Sequence, residues 1–562
     1  MARSSLTWTS GAFLLALVAV FVAFMIYPLI YAIQGAFYVQ NRFSLEFFAL
    51  MFTNPVHREA VVNSLMLGIT VTAVTTVVAL PVAFVMVRRE FVGKAMFNGL
   101  LFVPMVMPPF VGAVGMQQLL SKYGSVNLLL MKLGLMSPTD PYDWLGSGFW
   151  AVVLLEVLHL YPIMYLNVAA ALANVDPSLE EAAQNMGASG LRLFRTVTFP
   201  LMLPGYFAGA IIVFIWAFTD LGTPLIFNYS RVVPVRIFDA VTDIHENPIG
   251  FAMVVLVLVM TVIFFIISKK LLGAGNYQMM ARGHVQGSSR PVSRRWVPLV
   301  WFGLLCLTGL ALLPHLSVLF SSVAKQWFMS VLPTHYTDEF LGRVFTHRLT
   351  VSSIRNSLFL SSLSTVLDIV IGVSIAYLLT RKLFPGKDLL DALAMLPLAL
   401  PGLVLAFGYV GAFSSTFLDI KTNPMPLLIV AYAIRRLPYM VRAAYAGFQQ
   451  TSETLEEASL NLGASPARTL RKITLPLVFA NIVAGSILAF SFAMLEVSDS
   501  LILAAKEEFY PITKAIYAMS LRVADGPYVA SAMGLLGMLL LAASLLLAGR
   551  FLGRRMGELF RA

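Results

Sequence analysis

Twelve apolar runs, each long enough to cross a hydrocarbon core about 30 Å thick, divide this chain of 562 residues. They fall near residues 11–34, 61–87, 97–120, 148–172, 204–228 and 248–268, and again near 296–322, 353–380, 389–413, 425–447, 477–504 and 526–549. In lipid, no water satisfies a backbone N–H or C=O, so each run has to be helical. Charged residues make up 12% of the chain, against roughly 25% in soluble domains, and the mean hydropathy of +0.82 excludes a water-soluble globule. The first run, Gly11–Ile33, is long enough to span and too long for a signal-peptide core, so no cleavable leader is expected. The fold class that follows is an all-α membrane protein of about twelve transmembrane helices.

Basic residues orient the spans. With the N-terminus in the cytoplasm, 22 of the 39 Lys and Arg residues fall in cytoplasmic segments: Arg3, the groups near Arg88, Arg192, Lys269–Arg295, Arg381 and Arg468, and the tail from Arg550. This bias predicts that both termini are cytoplasmic, and it explains the net charge of +11 by a bilayer rather than a nucleic acid. Cys306, the one cysteine, excludes a disulfide framework and is expected as a buried small hydrophobe.

One polar segment is written twice. Leu179–Leu201 reads LEEAAQNMGASGLRLFRTVTFPL, and Leu455–Leu477 reads LEEASLNLGASPARTLRKITLPL, displaced by 276 residues with 13 of 23 positions identical. Chance does not preserve such gapless spacing. The repeat extends upstream at an offset of 293, where Asn63-Ser64-Leu65, Arg88, Gly93-Lys94, Pro104 and Pro108 match Asn356-Ser357-Leu358, Arg381, Gly386-Lys387, Pro397 and Pro401. The change of offset places 17 extra residues of the first half around Ser121–Gly146. The domain reading is a first half at 1–272, a hydrophilic cytoplasmic linker at 273–295 and a second half at 296–562, with a pseudo-twofold axis along the membrane normal.

Each polar segment has the composition of a short helix. Ser178 and Thr454 are expected as caps, each followed three residues later by a glutamate. Gly187 and Gly463 are expected to end the helix at positive φ, a basic turn follows, and Pro200 or Pro476 opens the next span. A surface that stays polar between apolar runs, twice, reads as a contact surface for another protein.

Here the chain resembles a known family. Glu181-Ala182-Ala183, Gly187, then Val197-x-Phe199-Pro200, and Glu457-Ala458-Ser459, Gly463, then Ile473-x-Leu475-Pro476, are similar to the EAA loop of the membrane subunits of ABC importers. Valine and phenylalanine replace isoleucine and leucine in the first copy, and Ser459 replaces the last alanine in the second. The resemblance covers nearly the whole chain and is nearest to the fused double permeases of the ferric-iron, polyamine, thiamine and phosphonate group. It implies a type I importer fold, alternating access, and two loops at 178–200 and 454–476 that couple to two copies of a cytoplasmic ATPase. The coupling residues it implies are Glu180, Glu181, Ala182, Ala183, Gly187, Arg195 and Pro200, with Glu456, Glu457, Ala458, Gly463, Arg471 and Pro476. It also implies a periplasmic substrate-binding protein and an inner-membrane location. No G-x-x-x-x-G-K-[ST] phosphate loop occurs, since Pro385-Gly386-Lys387-Asp388 lacks the first glycine and the hydroxyl. ATP and Mg are therefore expected on the partner, with no cofactor and no metal on this chain, and no catalytic residue.

Ionisable groups inside spans are functional candidates. Asp220 and Glu496 are equivalent at the 276 offset, with Asp499 nearby; His159 and Arg435 are likewise equivalent, beside Glu156 and Arg436. Either these groups pair with one another to hold helices together, or some line the translocation path. Pro162, Pro438, Pro104 and Pro397 read as breaks or kinks for packing. Met105, Met107, Met116, Met279 and Met280 form no ligand cluster, and His57, His245, His315, His335 and His347 are scattered. Ferric iron heads the substrates suggested by the resemblance, ahead of a phosphonate, sugar phosphate, polyamine or thiamine. From another class, a transporter driven by an ion gradient also has twelve spans and repeats, but it gives no reason for two matched loops. A membrane-embedded enzyme finds no catalytic motif here.

Overall fold

The computed structural model describes residues 4–5, 8–39, 42–244, 248–273 and 290–552. His245, Met279, Met280, most of the linker and the tail beyond Leu552 lie outside the described residues. Among the described residues, nine helices are long and apolar enough to cross a membrane. Two further apolar stretches are bent helix pairs: Lys387–Ala399 turns by 100° into Gly402–Ala412, and Lys94–Met105 by 92° into Pro109–Lys132. Met425–Gln450, of 26 residues, carries Arg435, Arg436 and Arg442 and is the counterpart at offset 276 of Phe149–Ala173. The remaining elements are short helices and pairs of two- or three-residue strands.

The third run of each half therefore differs from the continuous helix its hydropathy suggests. The break comes at Pro108 and Pro401, both in extended backbone at ψ 138° and 134°. Neither can donate an N–H to a preceding turn, and each instead starts a new helix. Pro397, Pro162 and Pro438 sit inside helices that continue through them.

Two compact units emerge, and they do not follow the two halves of the sequence. One comprises the described residues of Met1–Arg58, Pro234–Leu258 and Asp338–Leu559; the other comprises those of Glu59–Val233 and Val259–Thr337. In the first unit, the helix through Tyr27–Phe37 packs on Gly402–Ala412, where Tyr409 Oη donates to the Phe24 carbonyl at 2.6 Å. In the other, Val297–Val323 packs on Pro109–Leu120, and Ser317 Oγ donates to the Gly115 carbonyl at 2.6 Å. The first helix of each half thus belongs to the unit built mainly from the other half.

Small residues set the close helix crossings, as expected where lipid removes the hydrophobic drive between helices. A Cβ on Gly205 would lie 2.4 Å from the Ala171 Cβ. At the equivalent crossing in the second half, the sizes are exchanged: Gly447 faces Asn481, and a Cβ on Gly447 would lie 3.0 Å from the Asn481 Cβ. Cys306 is exposed on its helix beside Phe302 and Leu305, not buried. An apolar side chain on a lipid-facing surface gains nothing from further burial in protein.

The repeated Asn-Ser pair has a structural role. Pro55–Arg88 and Arg348–Arg381, both of 34 residues, are equivalent along their whole length at offset 293. From the first, Ser64 Oγ accepts the Val233 N–H at 2.8 Å and Asn63 Nδ2 donates to the Arg231 carbonyl at 3.0 Å. From the second, Ser357 Oγ accepts the Ile512 N–H at 2.8 Å and Asn356 Nδ2 donates to the Tyr510 carbonyl at 3.2 Å. Each pair thus caps the start of a short helix, Val233–Asp239 or Ile512–Ser520, from a neighbouring span. Ser357→Ala strands a buried donor and is expected to cost about 1–3 kcal/mol, read as a lower melting midpoint in detergent. Ser357→Thr, which keeps the acceptor, should recover part of that loss.

Candidate functional site

The two polar loops have one design. Pro177–Asn185 and Glu453–Asn461 are nine-residue helices. Each starts two residues earlier than the Ser178 and Thr454 caps would place it. The caps are Asp176, which accepts the Ser178 N–H at 2.9 Å, and Ser452, which accepts the Thr454 N–H at 3.3 Å. Pro177 suits the first helical position because that position needs no N–H, which shifts the cap back onto Asp176. Gly187 and Gly463 end the helices at φ +88°. The next N–H, of Ala188 or Ala464, returns to Ala183 at 2.9 Å or Ser459 at 3.1 Å, closing a Schellman turn. After a short second helix, a π-helical turn at Phe194–Thr198 or Leu470–Thr474 leads straight into the following span.

What anchors each loop helix is an ion pair to the end of a long helix. Arg88 Nη2 lies 3.1 Å from Glu180 Oε2, while Thr198 Oγ1 donates to Glu180 Oε1 at 2.7 Å. In the second half, Arg381 Nε donates to Glu456 Oε1 at 3.0 Å and its Nη2 to the Thr451 carbonyl at 3.1 Å and hydroxyl at 2.9 Å. Glu453 adds a second carboxylate at 3.5 Å. Glu180 and Glu456 therefore face inward, with side chains only 15% and 16% exposed. Glu181, Ala182, Gly187, Arg195, Glu457, Ala458, Gly463, Arg471 and Pro476 are exposed, and Ala183 and Pro200 half-buried. The sequence reading missed the apolar part of this surface: Met186 and Leu462, equivalent at the tip, are 88% and 89% exposed, and Leu179 and Leu455 also face outward.

The intramembrane polar groups gather within each half. In the first, Thr223 Oγ1 donates to Glu156 Oε1 at 3.1 Å, and Asp220 accepts the Thr223 N–H at 2.9 Å, capping Gly222–Ile226. His159 Nδ1 is 3.1 Å from the Pro104 carbonyl; since a carbonyl only accepts, that nitrogen carries the proton. In the second half, buried Glu496 sits between Arg435, whose Nε is 3.3 Å away, and Arg436, which pairs with its other oxygen. Gly402 makes room for Arg435: a Cβ there would be 2.3 Å from Nη1. Asp499 is buried within the electrostatic reach of both arginines. Asp368, missed from the sequence, is buried with neither carboxylate oxygen hydrogen-bonded and feels the charge of Arg436. Its signal was a lone acid inside an apolar run.

Residues 75–272 and 368–558, more than half of the chain, match the model of the binding-protein-dependent transport system inner membrane component family. The chain belongs to that family. It is 29% identical over 496 residues to a putative ferric transport system permease protein, FbpB 1, of Haemophilus influenzae, covering 87% of this chain and 77% of that one. It is 27% identical over 524 residues to the ferric transport system permease protein FbpB of Actinobacillus pleuropneumoniae, covering 92% and 74%. A molybdate/tungstate transport system permease protein, WtpB, of Pyrococcus furiosus is 35% identical over 192 residues, covering 34% of this chain and 74% of that one. The family model matching twice makes this a fused double permease, a multi-pass protein of the inner membrane and an ABC importer subunit.

In this permease the anchoring pairs carry two expectations. Arg381→Met leaves Glu456 and Glu453 facing a gap and should cost about 3 kcal/mol. The double variant Arg381→Met/Glu456→Gln should recover part of that in a thermal melt. The second expectation concerns pH. The Ser178 N–H beside Asp176 holds that carboxyl below its ordinary value. A depressed carboxyl stabilises above its unfolded pKa and loses that contribution as pH falls through its folded value. Acid should therefore raise hydrogen exchange at the Ser178 amide before the Thr454 amide, whose cap is the uncharged Ser452; equal onset at the two amides would contradict the charged cap.

Proposed function

We propose that this permease imports ferric iron from the periplasm by alternating access, driven by two copies of a cytoplasmic ATPase that hold ATP and Mg. One ATPase docks on each loop, at 178–200 and 454–476. The carrying observation is the duplicated loop helix: its inner glutamate is tied to a long helix, and its outer face offers Glu181, Met186 and Gly187, or Glu457, Leu462 and Gly463. A hydrophobic tip rimmed by charge and small residues suits a groove on a partner. Both termini and the 273–295 linker lie in the cytoplasm on this reading, and the halves 1–272 and 296–562 are the units of descent.

The substrate rests on the names of the relatives, which call two proteins of 27–29% identity ferric transport permeases. The path residues we assign are Glu156, His159 and Asp220 from the first half and Arg435, Arg436, Glu496 and Asp499 from the second. Both arginines pair with Glu496 and lie within the electrostatic reach of Asp499, which weakens the case that they form a free anion site for a phosphonate or sugar phosphate.

The test is reconstitution with ATPase and binding protein, the latter loaded in turn with ferric iron, a phosphonate, a sugar phosphate or a polyamine. Stimulated ATP hydrolysis and uptake are expected with ferric iron. Glu181→Lys/Glu457→Lys and Met186→Asp/Leu462→Asp should each abolish ATPase co-purification while leaving the permease folded. Wild-type co-purification and uptake in both double variants would remove the docking assignment, and stimulation by another ligand would replace iron.

A further inference from the structure

Two short helices follow the fifth span of each half: Val233–Asp239 in the first and Ile512–Ser520 in the second. They are equivalent by construction, since Ser64 and Ser357, matched at offset 293, accept the first N–H of each. Each lies one membrane crossing away from the polar loop of its half. Most of Val233–Asp239 belongs to the same compact unit as Ile512–Ser520, and the two helices touch. Lys514 Nζ sits over the Phe238 ring, 5.3 Å from its centroid, and Tyr517 lies within the electrostatic reach of Asp239. Related elements that touch each other straddle the axis that relates them. A transport path shared by two repeats runs along that axis, so this contact stands across the path at the end away from the loops.

The charge at that contact is unbalanced. Lys514 Nζ donates to the Leu501 carbonyl at 2.6 Å and lies over two ring faces, Phe238 and Tyr510, the latter 5.6 Å from its centroid. Among the described residues no carboxylate forms an ion pair with it, and Asp239 is electrostatically paired with Arg236. Burial alone lowers the ammonium to about 8, the behaviour of a cation held by dipoles and rings without a counter-ion. We infer that Lys514 is a charge-selecting residue at the outer gate of the path, favouring anionic cargo over bare cations. Resting on the import reading above, this narrows the cargo form: iron would pass the gate as a ferric complex of net negative charge, and a polyamine would be opposed.

Cysteine chemistry reads this directly. On a Cys306→Ser background, Phe238→Cys places one thiol beside Lys514 in the reconstituted permease–ATPase complex. Two methanethiosulfonate reagents of similar size are the probes, one bearing a sulfonate and one a trimethylammonium. The anionic reagent should react faster by about tenfold, the scale of one poorly screened charge within 6 Å. Lys514→Met should erase the preference and Lys514→Arg should keep it; Lys514→Gln serves where the methionine variant does not assemble. An unchanged ratio in the neutral variant overturns the inference, as does failure of both reagents to reach the thiol at any stage of the ATP cycle. Loss of ATPase association would instead strike the import reading, and the reagent ratio could still be measured on the permease alone.

Discussion

The ion pair between the end of a long span and the loop helix beside it holds the loop-bearing end of each half together. Pro177–Asn185 and Glu453–Asn461 are too short and too polar to be stable helices by themselves, and their outer surfaces are exposed. Their positions come from caps at one end, a Schellman turn at the other and a single inward glutamate held by Arg88 or Arg381. The pair is nearly buried, so it holds geometry more firmly than a surface salt bridge would. Beyond the loop, the π-helical turn runs without interruption into the fifth span. A push on the loop helix therefore reaches two spans: one through charge, the other through continuous backbone.

Much of this was legible in the sequence, because duplication exposes what periodicity alone leaves ambiguous. The matched offsets paired the two long helices, which begin six and five residues before the apolar runs at 61 and 353, and Gly187 and Gly463 marked the helix ends where positive φ occurs. Where the reading failed, local rules lost to context. The capping box pointed to Ser178 and Thr454, yet Asp176 and Ser452 do the capping, since a proline or glutamate is acceptable at the first helical position. The bent third spans were hidden because hydropathy sees composition and not the missing N–H of Pro108 and Pro401. The inward turn of Glu180 and Glu456 was beyond reach: both arginines appeared in the repeat, but their partners lie 92 and 75 residues away.

The two halves keep some parts and change others, and the division follows function. The loop helices, their glycine ends, the arginine–glutamate ties and the Asn-Ser caps recur in both copies, the ties through different atoms. The intramembrane groups do not. Glu156 becomes Tyr432, His159 becomes Arg435, and Thr223 becomes Asp499, so that one half pairs carboxylates with hydroxyls and the other sets them against guanidiniums. On the proposed reading, an energy-coupling device acted on by two identical ATPases has reason to stay symmetric. A path for a small, unsymmetrical cargo has none, and fusion into one chain frees each half to vary its lining without the other following.

Lys514 fits that division. The caps that place its helix are duplicated, while the lysine is not: Val235 occupies the matching position when the two helices are aligned on their capped first residues. A symmetric scaffold thus presents a single positive charge at its axis. Two lysines there would repel each other across a few ångströms with no counter-ion in reach, so only a chain whose halves have diverged can place one ammonium at the centre. This constraint favours a fused permease over a homodimer for a gate that sorts cargo by charge.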